Sequence, residues 1–297
     1  MRIKLFSLFL NFAFVACALI PVHGQEAAAR APGVIKVAKV TGEVTAVKDG
    51  KTITLATGAE IAQGYVVNTA HNASAVLAFS NGATINLAQD SSLSIDEFLQ
   101  DPFADEVSLA SMTAEPSVST TKLNLSRGEL VGNVKKLNAD AGSSFTVQTP
   151  VGAAGIRGTT FRIVFRPDGT GKAFFSLTTV EGNVVLASGT VNMPSQVAVS
   201  DNREVAVQIE VTTDPTTGIS TVTAGPSSPV IVTIPPPTTL AQVVTAVQQT
   251  VQAVANVVFT TPAPTNTGGT GGTTGTSTGT GSEGETPPTT PPPPPAP

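Results

Sequence analysis

Short segments that mix apolar and polar residues fill the chain from Gly33 to about Val211. In Val34–Val40 apolar side chains alternate with lysines, as expected for a strand with one buried face. Gly, Asn or Asp interrupts these segments about every eight to twelve residues, as in Asn81-Gly82, and such dipeptides supply the positive φ angles of tight hairpin turns. No segment before residue 238 has a convincing helical period, apart from a turn near Asp96–Gln100. The sequence therefore predicts an all-β domain over residues 33–211.

The predicted strands form two series with a different region between them. The first series is Val34–Val40, Val44–Val47, Ile53–Leu55, Tyr65–Asn68, Ala75–Phe79 and Thr84–Leu87; the second is Lys122–Leu125, Glu129–Val134, Ser144–Gln148, Thr160–Phe165, Lys172–Thr179 and Asn183–Ala187, followed by two strands within residues 197–211. Gln100–Thr121 breaks the pattern with scattered Ser and Thr and two prolines. We interpret it as a solvated loop; the alternative is a lid or docking loop that carries Phe103 and Met112.

A long segment in the C-terminal part of the chain is uncharged: no charged residue occurs from Pro215 to Ser282. Residues 212–238 are rich in Pro and Thr and predict a linker. In residues 239–259 apolar side chains recur at spacings of three and four, which predicts an amphipathic helix with Thr239 as its N-cap. This helix is expected to dock on the β-domain or on another copy, although its valines leave a strand open. Residues 260–297, mostly Thr, Gly and Pro, predict a disordered tail.

The N-terminus has the features of a secretory signal peptide, residues 1–24. Arg2 and Lys4 precede an apolar stretch that is short for a bilayer span, and we expect cleavage between Gly24 and Gln25. The alternative is a lipoprotein signal, with Cys17 as the lipidated residue. Either pattern predicts an exported protein, and no transmembrane helix is expected in the mature chain.

Composition excludes several functional classes. The chain has 16 Lys and Arg against 21 Asp and Glu, a formal charge of -5, so it lacks the basic surface that nucleic acid requires. One Cys and two His leave too few ligands for a zinc site. The acidic residues between Asp90 and Asp101 lack the alternating spacing of a calcium loop. We therefore expect no metal, no cofactor and no enzymatic activity.

One motif is specific enough to suggest a family. Thr149-Pro150 is followed by small residues, whose glycines predict a tight loop, then by Arg157-Gly158-Thr159 and the aromatic Phe161. We expect Phe161 and Phe165 of the strand that follows to lie in the core. This order closely resembles the central motif of the FecR domain. Further matches follow the family order, namely Gly42-Glu43-Val44, Gly64, Asn81-Gly82, Gly128-Glu129-Leu130 and Glu181-Gly182-Asn183-Val184. The resemblance covers roughly residues 40–190.

The resemblance implies a periplasmic all-β domain of solenoid-like or roll-like strands in a Gram-negative-type bacterium. Regulators of this family span the inner membrane and relay a signal from an outer-membrane receptor to a sigma factor. This sequence departs from that plan, because a signal peptide stands in place of a cytoplasmic anti-sigma domain. The α/β module that usually follows the FecR domain is also replaced, by the uncharged helix and the Thr/Gly/Pro-rich tail.

Arg157, Gly158 and Thr159 are the candidate ligand-binding residues. A guanidinium beside flexible glycine backbone can bind a carboxylate or phosphate through two hydrogen bonds, whereas the alternative is a structural arginine that bonds loop carbonyls. The leading functional hypothesis is a non-catalytic envelope module, in the periplasm or at the cell surface, that binds a protein or a glycan. The alternatives are a periplasmic accessory in receptor-coupled signal transduction and a surface or matrix protein that self-associates through residues 239–259.

Overall fold

The computed structural model describes residues 30–103 and 105–260. The predicted signal peptide with its Gly24–Gln25 cleavage site, and Cys17, lie outside the described residues. So does the predicted tail, apart from its first residue. None of the helices in the described ranges combines the length and the hydropathy that crossing a bilayer requires.

The described chain is mostly β-structure with one α-helix, α1 (Pro237–Val254), and two short 3₁₀ turns, Leu109–Ser111 and Ala139–Ala141. In chain order the strands are β1 (Ala31–Pro32), β2 (Ile35–Thr41), β3 (Val44–Lys48), β4 (Lys51–Thr54), β5 (Glu60–Ile61), β6 (Val66–Thr69), β7 (Ser74–Phe79), β8 (Thr84–Leu87), β9 (Ser92–Gln100), β10 (Val107–Ser108), β11 (Ser119–Asn133), β12 (Ser144–Thr149), β13 (Gly152–Ile156), β14 (Thr160–Pro167), β15 (Lys172–Glu181), β16 (Val184–Ala187), β17 (Gln196–Val199), β18 (Arg203–Thr213), β19 (Ser220–Ala224), β20 (Val232–Thr233) and β21 (Val258–Phe259). The all-β prediction is confirmed.

Two sheets share the long strand β11. In sheet 1 the order is β4-β3-β6-β9-β11-β12-β13-β16-β17, and β1 pairs with the end of β9. In sheet 2 the order is β5-β2-β7-β8-β11-β14-β15-β18, and both β19 and β20 pair with β18. The pairings are antiparallel except for β11 with β12, which is parallel.

Strand β11 passes from one sheet to the other at Gly128. Its first half pairs with β9 in sheet 1, and its second half pairs with β8 and β14 in sheet 2. Gly128 has φ +98°, and a Cβ atom there would lie 2.1 Å from the Oγ of Ser91. Only glycine fits this bend. The prediction of two separate strands, Lys122–Leu125 and Glu129–Val134, is therefore corrected: the glycine bends one continuous strand.

After β11, successive hairpins alternate between the two sheets. The hairpin β12–β13 joins sheet 1, β14–β15 joins sheet 2, β16–β17 returns to sheet 1, and β18–β19 returns to sheet 2. Each later hairpin pairs with the earlier one in its own sheet, β16 with β13 and β18 with β15. This winding agrees with the predicted solenoid-like arrangement.

The main core lies between the inner faces of the two sheets and is centred on phenylalanines. Phe161 and Phe165 of β14 are fully buried, as the sequence predicts. The rings of Phe79 and Phe98 meet edge to face with centroids 5.2 Å apart, so the two sheets contact each other through aromatic side chains.

A smaller second cluster lies on the outer face of sheet 2, beneath α1. The strand β7 presents Val76 and Ala78 on that outer face, where water would otherwise meet apolar surface. The end of α1, strand β21 and the segment on either side of the 3₁₀ turn Leu109–Ser111 cover these two side chains. The buried residues that contribute are Phe103, Leu109, Met112, Val254 and Phe259. The prediction that Gln100–Thr121 is a solvated loop is therefore wrong, since its apolar side chains cover the face of a sheet.

A buried carboxylate also holds this loop in place. Glu115 is 5% exposed, and its carboxylate accepts hydrogen bonds from the Ser119 hydroxyl at 2.8 Å and from the Asn138 backbone N–H at 2.5 Å. The Ser119 hydroxyl also accepts a hydrogen bond from Asn81. Buried polar groups that bond one another in this way fix a loop in one arrangement.

The structure changes the boundaries of the predicted C-terminal elements. The helix begins at Pro237, whose ring fixes a helical φ at the first turn, so Thr239 lies inside the helix and is not its N-cap. It ends at Val254, and Val258–Phe259 instead pairs with β10. The predicted linker, residues 212–238, contains β19 and β20, because their backbones pair with the outer edge of β18.

Two segments of the β-domain also differ from the sequence prediction. Ser92–Gln100 forms strand β9 along its whole length, although a helical turn was expected near Asp96–Gln100. Gly152–Ile156, expected as a tight glycine loop, forms strand β13 between β12 and β16. In both segments the pairing with neighbouring strands overrides the local preference.

The bend in β11 predicts a large loss of stability for Gly128→Ala. The new Cβ would meet Ser91 and would hold a positive φ, so we expect the free energy of unfolding to fall by about 3 kcal/mol or more. Urea denaturation followed by circular dichroism measures this loss.

The matched control is Gly169→Ala, because Gly169 has φ +75° and a Cβ added there would have no other atom within 4 Å. It should cost only about 1–2 kcal/mol from backbone strain. Equal losses in the two variants would show that the contact with Ser91 contributes nothing.

Candidate interaction site

The predicted residues Arg157, Gly158 and Thr159 form the corner at which the chain passes from β13 in sheet 1 to β14 in sheet 2. Gly158 has φ +64°, and a Cβ there would lie 3.3 Å from the Cα of Lys136. Thr159 is buried, and its carbonyl accepts a hydrogen bond from the N–H of Val134 at 2.9 Å. These contacts give Gly158 and Thr159 a structural role at the corner.

Other glycines of the motif occupy equivalent corners. Gly42 lies between β2 and β3, and a Cβ there would lie 2.9 Å from the Cα of Ala73. Gly182 lies between β15 and β16, where a Cβ would lie 2.5 Å from the Cγ2 of Thr159. The corners of neighbouring turns therefore pack on one another with no room for side chains. The spacing of the motif follows from this winding.

Arg157 differs from its two neighbours because its side chain is exposed. Its guanidinium makes no hydrogen bond and no ion pair with any residue in the described part of the chain. It borders an open groove on the outer face of sheet 1, between Thr146 of β12 and Val185 of β16. The contacts thus do not support the interpretation of Arg157 as a structural arginine that bonds loop carbonyls.

The acidic residues near β9 do not converge on one point. Asp90 lies 3.1 Å from the ring of His71, and Asp101 accepts a hydrogen bond from Arg30 at 3.1 Å. Glu97 pairs with Lys122. Within residues 30–103 and 105–260, no group of three or more side chains is placed to hold a metal ion.

An apolar groove lies beside α1, a feature that the sequence did not predict. It is bounded by the helix, by the 3₁₀ turn Leu109–Ser111 and by the outer face of sheet 2, and its volume is about 250 Å³. Its lining residues are Thr84, Leu109, Ala110, Val131, Asn133, Lys135, Val247, Thr250, Val251, Val254 and Ala255. Val251 stands at the groove with 62% of its surface exposed.

The helix is held on its own β-domain by specific contacts. Val243 is fully buried, and the side-chain amide of Asn86 on β8 donates hydrogen bonds to the carbonyl of Ala246 at 3.3 Å and to the Thr250 hydroxyl at 3.4 Å. At the far end Lys36 donates to the carbonyl of Val258 at 2.9 Å. The sequence left two docking partners open for the helix, the β-domain and another copy of the chain. In the structure the helix docks on the β-domain.

The groove cannot be predicted from the sequence, because its walls come from three distant segments. The valines of residues 239–259 were recognised as one apolar face, but the sheet covers only part of that face and leaves Val244 and Val251 exposed. Leu109 and Ala110 belong to the segment that was interpreted as a solvated loop. Lys135 follows β11, and no sequence motif around it indicates a binding site.

Residues 65–185 match the model of the FecR protein family. This part of the chain is similar to the FecR domain. The matched range includes the corners at Gly128, Gly158 and Gly182 and two walls of the groove, but it excludes α1. The family resemblance of the sequence motifs is confirmed over that range.

Two solved structures are similar to the chain, both of a candidate anti-sigma factor from Parabacteroides distasonis ATCC 8503, at 1.65 and 2.50 Å resolution. Each is 13% identical to this chain and covers 55% of it, with TM-scores of 0.33 and 0.34. The chain spans about 60% of the length of those proteins. No curated protein matches it.

The corner geometry predicts different effects for neighbouring substitutions. Arg157→Ala removes an exposed, unbonded side chain, so the free energy of unfolding should change by less than about 0.5 kcal/mol. Gly158→Ala places a Cβ against Lys136 at a positive φ and should cost about 1–2 kcal/mol. Thermal unfolding of both variants checks the pair. A large loss in Arg157→Ala would restore the structural interpretation of that residue.

Proposed function

We propose that this protein is a non-catalytic interaction module of the bacterial envelope, in which the FecR domain and α1 together bind a partner protein. The observation that carries the proposal is the open apolar groove beside α1. Water in contact with its valine and leucine walls is unfavourable, and release of that water on binding would stabilise a complex. The FecR domain supports a role in protein interaction, and export follows from the predicted signal peptide.

The chemistry of the groove favours a protein partner over a glycan. Its walls are mainly Val, Leu and Ala side chains, so the hydroxyl groups of a sugar would lose hydrogen bonds to water without replacement. An aliphatic or aromatic side chain has no hydrogen bonds to water to lose on entering the same space. A periplasmic role in receptor-coupled signal transduction is the specific form of this function that the FecR domain favours.

Site-specific crosslinking in the native cells tests the proposal. A photo-reactive residue at position 251 lies at the groove, whereas one at position 244, 48% exposed on the same helix, does not line it. We expect position 251 to crosslink to one partner protein and position 244 to give no such product. The partner, identified by mass spectrometry and purified, should bind Val251→Asp at least about tenfold more weakly than Val244→Asp.

The identity of the partner separates the alternatives. An outer-membrane receptor or a membrane signalling protein would support the regulatory role. A product formed only with a second copy of this chain would favour the self-associating surface protein instead. The absence of a product at position 251, or the same products at both positions, would contradict the proposed function.

A further inference from the structure

We infer that the groove receives one large apolar side chain from a partner segment that also carries acidic residues. This inference rests on the proposed function and specifies its partner. Two independent observations lead to it, the size of the groove and the charge at its wall.

The volume of the groove suits a protein side chain. At about 250 Å³ it is smaller than the ~300–1,000 Å³ of most small-molecule sites, and it is open to solvent along one side. A single Phe, Leu or Met side chain can fill much of such a space. Anchors of this kind, buried in a preformed pocket, contribute most of the binding free energy in many protein interfaces.

The charge beside the groove is positive. Lys135 is the one charged residue among those that line the groove, and neither it nor the exposed Lys136 next to it forms an ion pair with any described residue. The helix on the opposite wall carries no charge at all. Thus a chain with a formal charge of -5 presents an unpaired lysine at the wall of this groove, and the complementary partner is acidic.

The fold holds the stem of Lys135 and the backbone that follows it in place. A Cβ at Gly82 would lie 2.9 Å from Cγ of Lys135 and 3.0 Å from Sδ of Met112, so the lysine stem lies over that glycine, next to the methionine. The carbonyl of Lys136 accepts a hydrogen bond from the N–H of Glu115 at 3.0 Å. Because the stem and the backbone are already positioned, little conformational entropy is lost when an acidic group binds.

Short peptides test the inference on the purified protein. The probe is Gly-Asp-Glu-Phe-Asp-Glu-Gly, with one matched peptide in which Ala replaces Phe and another in which Lys replaces every acidic residue. Amide chemical shifts of ¹⁵N-labelled protein detect even weak binding. We expect the probe to shift the amides of Leu109, Val131 and Val247, and expect both matched peptides to bind at least about tenfold more weakly.

Variants of the protein separate the two parts of the inference. Val251→Asp should abolish binding of the probe, because it places a carboxylate at the apolar wall. Lys135→Ala should weaken binding of the probe at least about tenfold and reduce its dependence on salt. Lys172→Ala is the matched control, since Lys172 is also exposed and forms no ion pair with any described residue, but it lies on the β15 hairpin and does not line the groove.

Several results would overturn the inference. The absence of any shift at millimolar probe, or equal binding by the lysine peptide, would exclude an acidic anchor segment. Shifts at these amides produced by laurate and not by the probe would assign the groove to a lipid. Dimerisation of the protein alone, lost in Val251→Asp, would assign it to a second copy. A partner crosslinked from position 251 would still support the proposed function if the peptides failed.

Discussion

The two sheets of this protein depend on one strand that belongs to both. Every other strand of the sheets is connected to β11 through backbone hydrogen bonds, directly or through its neighbours. The strand can serve both sheets only because Gly128 bends it where Ser91 leaves no space for a side chain. The close contact at this one corner therefore determines how the sheets face each other and where the phenylalanine core lies.

The same constraint explains why glycines recur in the FecR-like motifs. Gly42, Gly158 and Gly182 stand where the chain changes sheets, and each would meet a neighbouring backbone or buried side chain if it carried a Cβ. The positions of these glycines in the motif thus follow from the way the chain winds between the two sheets. A function that differs between proteins with this domain has to reside in what the winding exposes, such as Arg157, or in what is added to it, such as α1.

The helix α1 packs on the outer face of sheet 2 and forms a second apolar cluster with it. An open groove lies beside this cluster. Each part covers apolar surface of the other, since the end of α1 shields Val76 and Ala78 and the sheet buries the apolar face of the helix. The cover is incomplete at Val251, and the positive charge of Lys135 lies beside the gap. Stability of the cluster and exposure of the groove therefore arise from the same packing.

The sequence by itself determined the all-β class, most strand positions, the buried Phe161 and Phe165 and the existence of a C-terminal helix, because these follow from local alternation and turn residues. Tertiary structure decided that β11 is continuous, that Gly152–Ile156 is a strand and that Phe103, Leu109 and Met112 are buried. Each of these depends on backbone pairing or apolar contact between segments far apart in the chain. The groove has the same origin, since Leu109, Val131 and Val251 become neighbours only when the helix docks on sheet 2.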